Sequence, residues 1–427
     1  MTPYPRHSDP YAARWKMLAL ISLGFVAMTL NWFDIAPAFP AIGTEFHTNI
    51  SRTAFLISLF LLGYGIAHIP GGMLATRIGM KQTLVLGLLL EGLAGMASGL
   101  CQNYVELAIV RVLAGIGASV FIAVAFGAVS IWFEHHETAL ALGIAGGAAF
   151  SVGAAIGLYL WNYLNTAVGW RTALPIAGAS AVLVAAVTAL AFRTPRHTRT
   201  LGGAGVALSG LRETLANRQL WIYGAALLGA YGAYFTASEL LAGYAVDVRH
   251  LSTAWASLLS AMIGLAGIPG SLIGGVVTDR WRATRAVVIT PLLLMAVGLA
   301  LIPVVPVPMV WVIAILFGVL EIFSFAAWSS VPTRVAKVRH ENIGTAIGLM
   351  LTITAVGGFA VPAILGRIAS HAGYPTAWAF LGAITAATAL VGLAGRDRAA
   401  EPIPLPKADA GDLLQVDAGK TVAKAWP

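Results

Sequence analysis

Windows of about 20 residues recur along this chain with one charged residue or none, and that feature decides most of what it can fold into. A helix rises about 1.5 Å per residue, so such a window spans the roughly 30 Å hydrocarbon core of a bilayer. A soluble fold with oversized cores would still need charged outer faces on its surface helices, because water has to be met somewhere. Those faces are missing. Of the 427 residues, 58% are hydrophobic and 10% are charged, where ordinary soluble domains carry about 25% charged residues.

Apolar windows between turn signals predict an all-α membrane protein of twelve transmembrane helices. The spans fall near 17–39, 53–75, 83–101, 105–133, 138–161 and 172–192, then 219–246, 253–277, 286–304, 308–331, 344–366 and 374–394. Residues 1–16 form a leader and 193–218 a linker with a Gly-rich middle and five arginines, so the chain divides into six-helix units at 17–192 and 219–394. The tail, 395–427, is rich in Ala, Asp, Lys and Pro without a long apolar run. The first apolar stretch is too long for a signal-peptide core and is expected to stay as a helix.

Charge distribution sets the orientation. With the N-terminus inside, cytoplasmic segments take 21 of the 26 lysines and arginines, while Arg52, Arg171 and Arg249 face outward and Arg111 and Arg367 sit in or at the edge of spans. This is the positive-inside pattern, with both termini cytoplasmic and the chain in the plasma (inner) membrane. The formal charge of +8 is spread over short loops, which argues against nucleic acid. A lone cysteine, Cys101, allows neither an internal disulfide nor a Cys-based zinc site. Glu134-His135-His136-Glu137 is a short consecutive run without metal-ligand spacing, so no metal or cofactor is expected.

The halves echo one another. Gly71-Gly72-Met73-Leu74-Ala75-Thr76-Arg77 answers Gly274-Gly275-Val276-Val277-Thr278-Asp279-Arg280 at an offset of 203 residues, and Ala141-Leu142-Gly143 answers Ala346-Ile347-Gly348 at 205. Both echoes point to duplication of a six-helix unit. Pro70 through Lys81 then resembles the loop signature between helices 2 and 3 of the major facilitator superfamily, G-x-L-a-D-R-x-G-r-[RK]. Arg111-Val112-Leu113-Ala114-Gly115-Ile116-Gly117 is similar to that family's helix 4 motif, and Trp170-Arg171 to its entry into helix 6. The resemblance runs from about residue 17 to 394 and implies two pseudo-symmetric bundles that rock around a central site. Thr76 stands where the family has Asp, and Asp279 keeps the acid in the second copy.

Gly72, Arg77, Gly79, Lys81, Gly275, Asp279 and Arg280 are therefore candidates for a gating latch. Glycines allow a sharp, close turn, and the cations can meet the negative ends of nearby helices. Arg77 and Lys81 would otherwise be positive-inside anchors.

Ionisable residues inside spans are costly and mark function by default. They are Asp34, His68, Glu91, Glu106, Arg111, Glu239 and Glu321. The resemblance implies that helices 1, 4, 7 and 10 line the cavity, which places Asp34, Arg111, Glu239 and Glu321 there and leaves Glu91 at the periphery. Asp34 and Arg111 share one depth and are expected to pair, as a switch or as a static bridge. Glu239 and Glu321, lacking an evident cation, are expected to repel one another if they share the cavity and so to favour protons. His68 is a candidate coupling group. Asn31, Trp32, Tyr231, Tyr234 and Trp328 are candidates to wall a small ligand.

No G-x-S-x-G, H-E-x-x-H or P-loop pattern is present, and no loop is large enough for a soluble catalytic domain. The expectation is a secondary transporter that needs no partner subunit and works as a monomer in the lipid bilayer. Gly147 is followed by Ala148, without the Gly-Pro pair that the family's drug antiporters carry in helix 5. That favours uptake by symport, and the stretch from Tyr64 through Pro70-Gly71-Gly72 to Gly79 resembles the superfamily's organic-anion/proton symporters, which implies proton-coupled symport of a small organic acid, with Arg111 on the anion and Asp34, Glu239 or Glu321 carrying the proton. The alternative is proton-driven export of drug-like or cationic compounds.

Overall fold

A computed structural model describes residues 10–133, 141–193, 208–281, 283–338 and 343–396. The 134–137 run, most of the linker (194–207), the start of the leader (1–9) and the tail from 397 lie outside the described residues, as do the side chains of Thr76 and Asp279.

Long helices account for the described chain: α1 (Pro10–Phe33), α2 (Ile50–Ile78), α3 (Met80–Ser98), α4 (Tyr104–Ser130), α5 (Gly143–Val168), α6 (Trp170–Ala191), α7 (Arg218–Asp247), α8 (Thr253–Trp281), α9 (Thr284–Leu301) and α10 (Val307–Ser329). A last helical run, Ile343–Val391, breaks at Gly373, where φ is +81°, into α11 (343–372) and α12 (374–391). Among the described residues, ten helical stretches are long and apolar enough to cross a bilayer, one of them holding both α11 and α12. The twelfth, α7, is absent from that set for a physical reason. It is buried within the protein along most of its length, so it carries Glu239, Ser238, Thr236 and four tyrosines in place of a lipid-facing apolar surface.

The twelve helices form two six-helix bundles. α3 packs on α4 at near-contact distance, since a Cβ on Gly87 would collide with the Phe121 nitrogen and one on Gly117 with the Glu91 nitrogen. Small residues let helix backbones approach closely in lipid. In the second bundle Gly318 brings α10 onto the Ile263 carbonyl of α8 in the same way. Between the bundles, Gly65 of α2 meets Ala355 of α11, and Gly147 of α5 meets Ser271 of α8. Two stretches of α5, Gly143–Ala149 and Ile156–Leu160, widen into π-helical turns, a local change often found at functional sites.

The duplication is visible in the backbone. Gly169 (φ +75°) joins α5 to α6 and Gly373 (φ +81°) joins α11 to α12, 204 positions apart and in step with the sequence echoes. A positive φ of this kind is inexpensive only for glycine. Gly79 (φ +91°) makes the equivalent sharp turn from α2 into α3.

The halves differ at α1. After Phe33 the helix gives way to a turn, a short 3-10 segment at Ala36–Ala38 and a second short helix, Phe39–Glu45. Pro37 and Pro40 lack the N–H that would continue the ladder. The break leaves carbonyls at the end of α1 facing the protein interior. Beyond it, Glu45 receives Arg171 at 2.7 Å and the Trp170 indole N–H at 2.7 Å, and Arg171 also donates to the Gly99 and Cys101 carbonyls. The Trp170-Arg171 pair thus ties the short helix beyond α1 and the end of α3 to the start of α6.

Candidate transport site

Arg111 lies two turns into α4 and is buried. Its Nη1 donates to the Asn31 carbonyl at 3.1 Å and its Nη2 to the Trp32 carbonyl at 3.0 Å, so the guanidinium caps the broken carboxyl end of α1. A cation is favoured there by the partial negative charge of the helix end. The guanidinium also stands over the Phe60 ring, 4.7 Å from its centroid. Asp34 comes to 4.0 Å, the outer limit of an ion pair, and its Oδ1 has no hydrogen-bond partner. The expected pair therefore exists as a loose one, and the main-chain carbonyls hold the arginine. A loose ion pair is suited to exchange.

Two further acids belong to this cluster. Glu239 of α7 is buried with neither oxygen bonded, and its charge interacts with Arg111 and Asp34. It thus has the cavity cation that the sequence left it without. Glu91 corrects a second expectation. α3 is peripheral, yet Glu91 is fully buried, has no partner on either oxygen, and interacts electrostatically with Arg111 and Asp34. A signal for it was present: Gly87 and Glu91 lie four apart on one face of α3, and the Gly87–Gly117 contact turns that face onto α4.

Glu321 of α10 sits elsewhere, buried near Tyr231 and Tyr234. The mutual repulsion expected between Glu239 and Glu321 is not what surrounds them, since one faces the Arg111 cluster and the other the tyrosines. Tyr231 hydrogen-bonds Tyr64 of α2, crossing from one bundle to the other, while the Tyr234 hydroxyl is unpartnered. His68 packs edge-on against Tyr64 at 4.4 Å. Neither of its ring nitrogens meets a partner in hydrogen-bond geometry, although the Tyr64 and Gly65 backbone lies close by.

Two expected ligand residues point to other work. The Asn31 side chain donates to Ala27 (2.8 Å) and to Ala177 of α6 (3.0 Å), so it ties α1 to α6, and only its carbonyl reaches Arg111. The single donor of Trp328 is spent on the Tyr223 carbonyl at 2.8 Å, within the second bundle. Trp32 instead takes the central place: its ring stacks on Phe235 of α7 at 4.3 Å and 7°, with Phe60 and Tyr64 on its flank, and this seals the cluster between the bundles. A cavity of about 870 Å3 does exist, but beyond this seal, between α2, α4 and α11, where Arg52 and Arg367 line it.

At the other end of the helices, Gly71 packs against Val120 and Ala123 of α4, whereas a Cβ on Gly72 or Gly275 would meet nothing within 4 Å. Arg77 and Arg280 lie in the last turns of α2 and α8 and are exposed, and Lys81 opens α3. Arg334, one of the basic residues assigned by count to the cytoplasmic side, donates to the Thr278 carbonyl of α8 at 2.7 Å. It meets the carboxyl end of α8. No group of three or more metal-ligating side chains occurs among the described residues.

The family model of the Major Facilitator Superfamily matches residues 21–362. The chain belongs to that superfamily. Its relatives include a probable L-galactonate transporter of Escherichia coli, 27% identical over 286 residues, a match that spans 62% of each protein. A probable sulfoacetate transporter of Cupriavidus necator is 26% identical over 89% of this chain and 93% of its own length. A hexuronate transporter of Bacillus subtilis is 24% identical over 83% of this chain and 89% of its own length. Among solved structures, a bacterial homolog of the human lysosomal transporter Spinster, inward-facing and unoccupied, shares the fold with a TM-score of 0.70 at 18% identity, over 91% of this chain and 96% of that one. This member of the superfamily is accordingly a multi-pass membrane transporter of small molecules and not an enzyme.

Proposed function

We propose that this transporter carries a small organic acid together with protons by alternating access. The observation that carries the reading is Arg111: a buried guanidinium held by two carbonyls and only loosely by Asp34, with its Nε unpartnered, beside acids that interact with no other cation among the described residues. A substrate carboxylate can take the place of Asp34 on the guanidinium, since Arg offers a planar fork of donors matched to a carboxylate. Asp34, once displaced, is a buried acid without a cation, and a proton offsets that cost; Glu239, Glu321 and His68 are the other coupling candidates. Tyr231 and Tyr234 supply hydroxyls and ring faces. Relatives named for galactonate, sulfoacetate and hexuronate support an organic acid as the solute.

The bundles correspond to residues 17–192 and 219–394, joined by the 193–218 linker. The protein works as a monomer in the plasma membrane with both termini in the cytoplasm, and the Gly72–Lys81 and Gly275–Arg280 segments latch the inner gate. Uptake into proteoliposomes under an imposed pH gradient tests the reading, with small carboxylates screened beside cationic dyes. Inward protons should drive carboxylate accumulation, and Arg111→Ala should abolish it. Dye movement against the gradient with no carboxylate flux would instead make the protein an exporter. The excess of acids over cations around Arg111 and a 24% match over 197 residues to the tetracenomycin C resistance and export protein of Streptomyces glaucescens favour that second reading.

A further inference from the structure

Glu91 is the one acid of the Arg111 cluster that stands outside the ring of helices expected to touch solute, and it is the most deeply buried of them. Its two carboxyl oxygens have no hydrogen-bond partner. A carboxylate in that condition is expensive, because neither water nor a donor replaces its lost hydration. Nothing structural requires it: the close packing of α3 on α4 is made by Gly87, Gly117 and backbone atoms, and Leu or Met would fill the volume.

The groups that face it are few. From α4 comes Arg111, whose Nε is also unpartnered; from the end of α1 comes Asp34; from α2 comes the Tyr64 hydroxyl. α6 packs on the same helix through Gly178 and Val182 and brings no charge there, its Arg171 being occupied by Glu45 at the far end. Arg111 thus interacts electrostatically with three acids from three parts of the fold: Asp34 just past α1, Glu91 of α3 and Glu239 of α7.

We propose that Glu91 is a proton-binding site of the transport cycle, holding its proton on the carboxyl while Arg111 is engaged by α1 and Asp34, and releasing it to entering water when the guanidinium turns to Glu91. The proton leaves a carboxyl oxygen as hydronium, and the carboxylate left behind is compensated by Arg111. No other bond changes. Because α3 is peripheral, this site can exchange protons without competing with solute for space, whereas Asp34 and Glu239 share the solute's own volume. The assignment rests on the proton-coupled reading above.

Glu91→Gln keeps shape and volume while removing the titratable group, with Glu91→Asp as the variant that keeps a proton on a shorter arm. Two arms separate the possibilities. In proteoliposomes, Glu91→Gln should lose proton-driven accumulation of hexuronate while keeping hexuronate counterflow, which needs no net proton movement, and Glu91→Asp should restore part of the accumulation. In infrared difference spectra between acid and alkaline pH, the wild type should show loss of a buried protonated carboxyl band that Glu91→Gln lacks. Accumulation intact in Glu91→Gln, or a carboxyl band unchanged by that substitution, would overturn the assignment. Should the wild type fail to couple any carboxylate to protons, the transport reading fails by itself, and the infrared arm still decides whether Glu91 exchanges a proton.

Discussion

The two bundles descend from one repeated unit, yet they divide the chemistry unequally. In the first, α1 breaks at Phe33 and Arg111 fills the break, with Asp34 and Glu91 around it. In the second, α7 runs unbroken from Arg218 to Asp247 and presents aromatic rings and Glu239, while Glu321 sits among tyrosines. Every buried arginine among the described residues is in the first half. A symmetric scaffold can therefore hold an asymmetric site: one bundle fixes the charges, and the other supplies the wall that closes on them through the Trp32–Phe235 stack.

The comparison breaks most sharply at Arg111. Arg111→Ala leaves Asp34, Glu91 and Glu239 buried without a cation and the α1 end uncapped, so transport should vanish and stability should fall by about 3–5 kcal/mol. A thermal shift assay beside the uptake measurement checks both. Arg111→Lys keeps the charge but cannot reach two carbonyls as a fork, and it should fold while transporting poorly.

A smaller effect compares equal insults in the two bundles. Gly117→Ala would press a Cβ against the Glu91 backbone, and Gly318→Ala would press one against the Ile263 carbonyl. Each should cost about 1–3 kcal/mol by overpacking. Only Gly117→Ala moves an acid of the Arg111 cluster, so it alone should also shift the pH dependence of uptake. Equal pH profiles for the two variants would remove the asymmetry from the account.

Smaller again is Phe235→Leu, which keeps an apolar though smaller side chain and forfeits the ring stacking on Trp32, worth about 0.5–1.5 kcal/mol. It should raise the reactivity of a cysteine placed at Ser238 towards a water-soluble thiol reagent, in a Cys101→Ser background. The smallest effect on folding belongs to Gly72→Ala and Gly275→Ala, whose Cβ atoms would meet open space. Alanine in a helix is better than glycine by about 0.5–1 kcal/mol, so thermal stability should hold or rise slightly. A fall in transport rate despite that stability is the expected mark of a latch.

Much of the fold was legible because lipid imposes a simple rule: apolar length places the spans, and Gly79 was marked as a sharp turn, whereas the matching turns at Gly169 and Gly373 came only from the backbone. Arg111 and Asp34 were legible as rare charges at a common depth. Glu91 was misplaced because helix order tells which helices surround a cavity but not how deeply a glycine seam lets a peripheral one press in. The helix-tying hydrogen bonds of Asn31 and Trp328 were not legible, because spacing shows that a polar group is present and not which carbonyl has already taken its donor. Arg334 was passed over since a loop charge looks the same in sequence whether it anchors a helix or caps its neighbour.

The most direct test of the central claim is to add a small carboxylate such as hexuronate to purified protein in weakly buffered detergent solution, and to record binding heat and proton uptake together. The account predicts that binding draws protons onto the protein and that Arg111→Ala removes both signals. Binding accompanied by proton release, or binding that survives in Arg111→Ala, would contradict it.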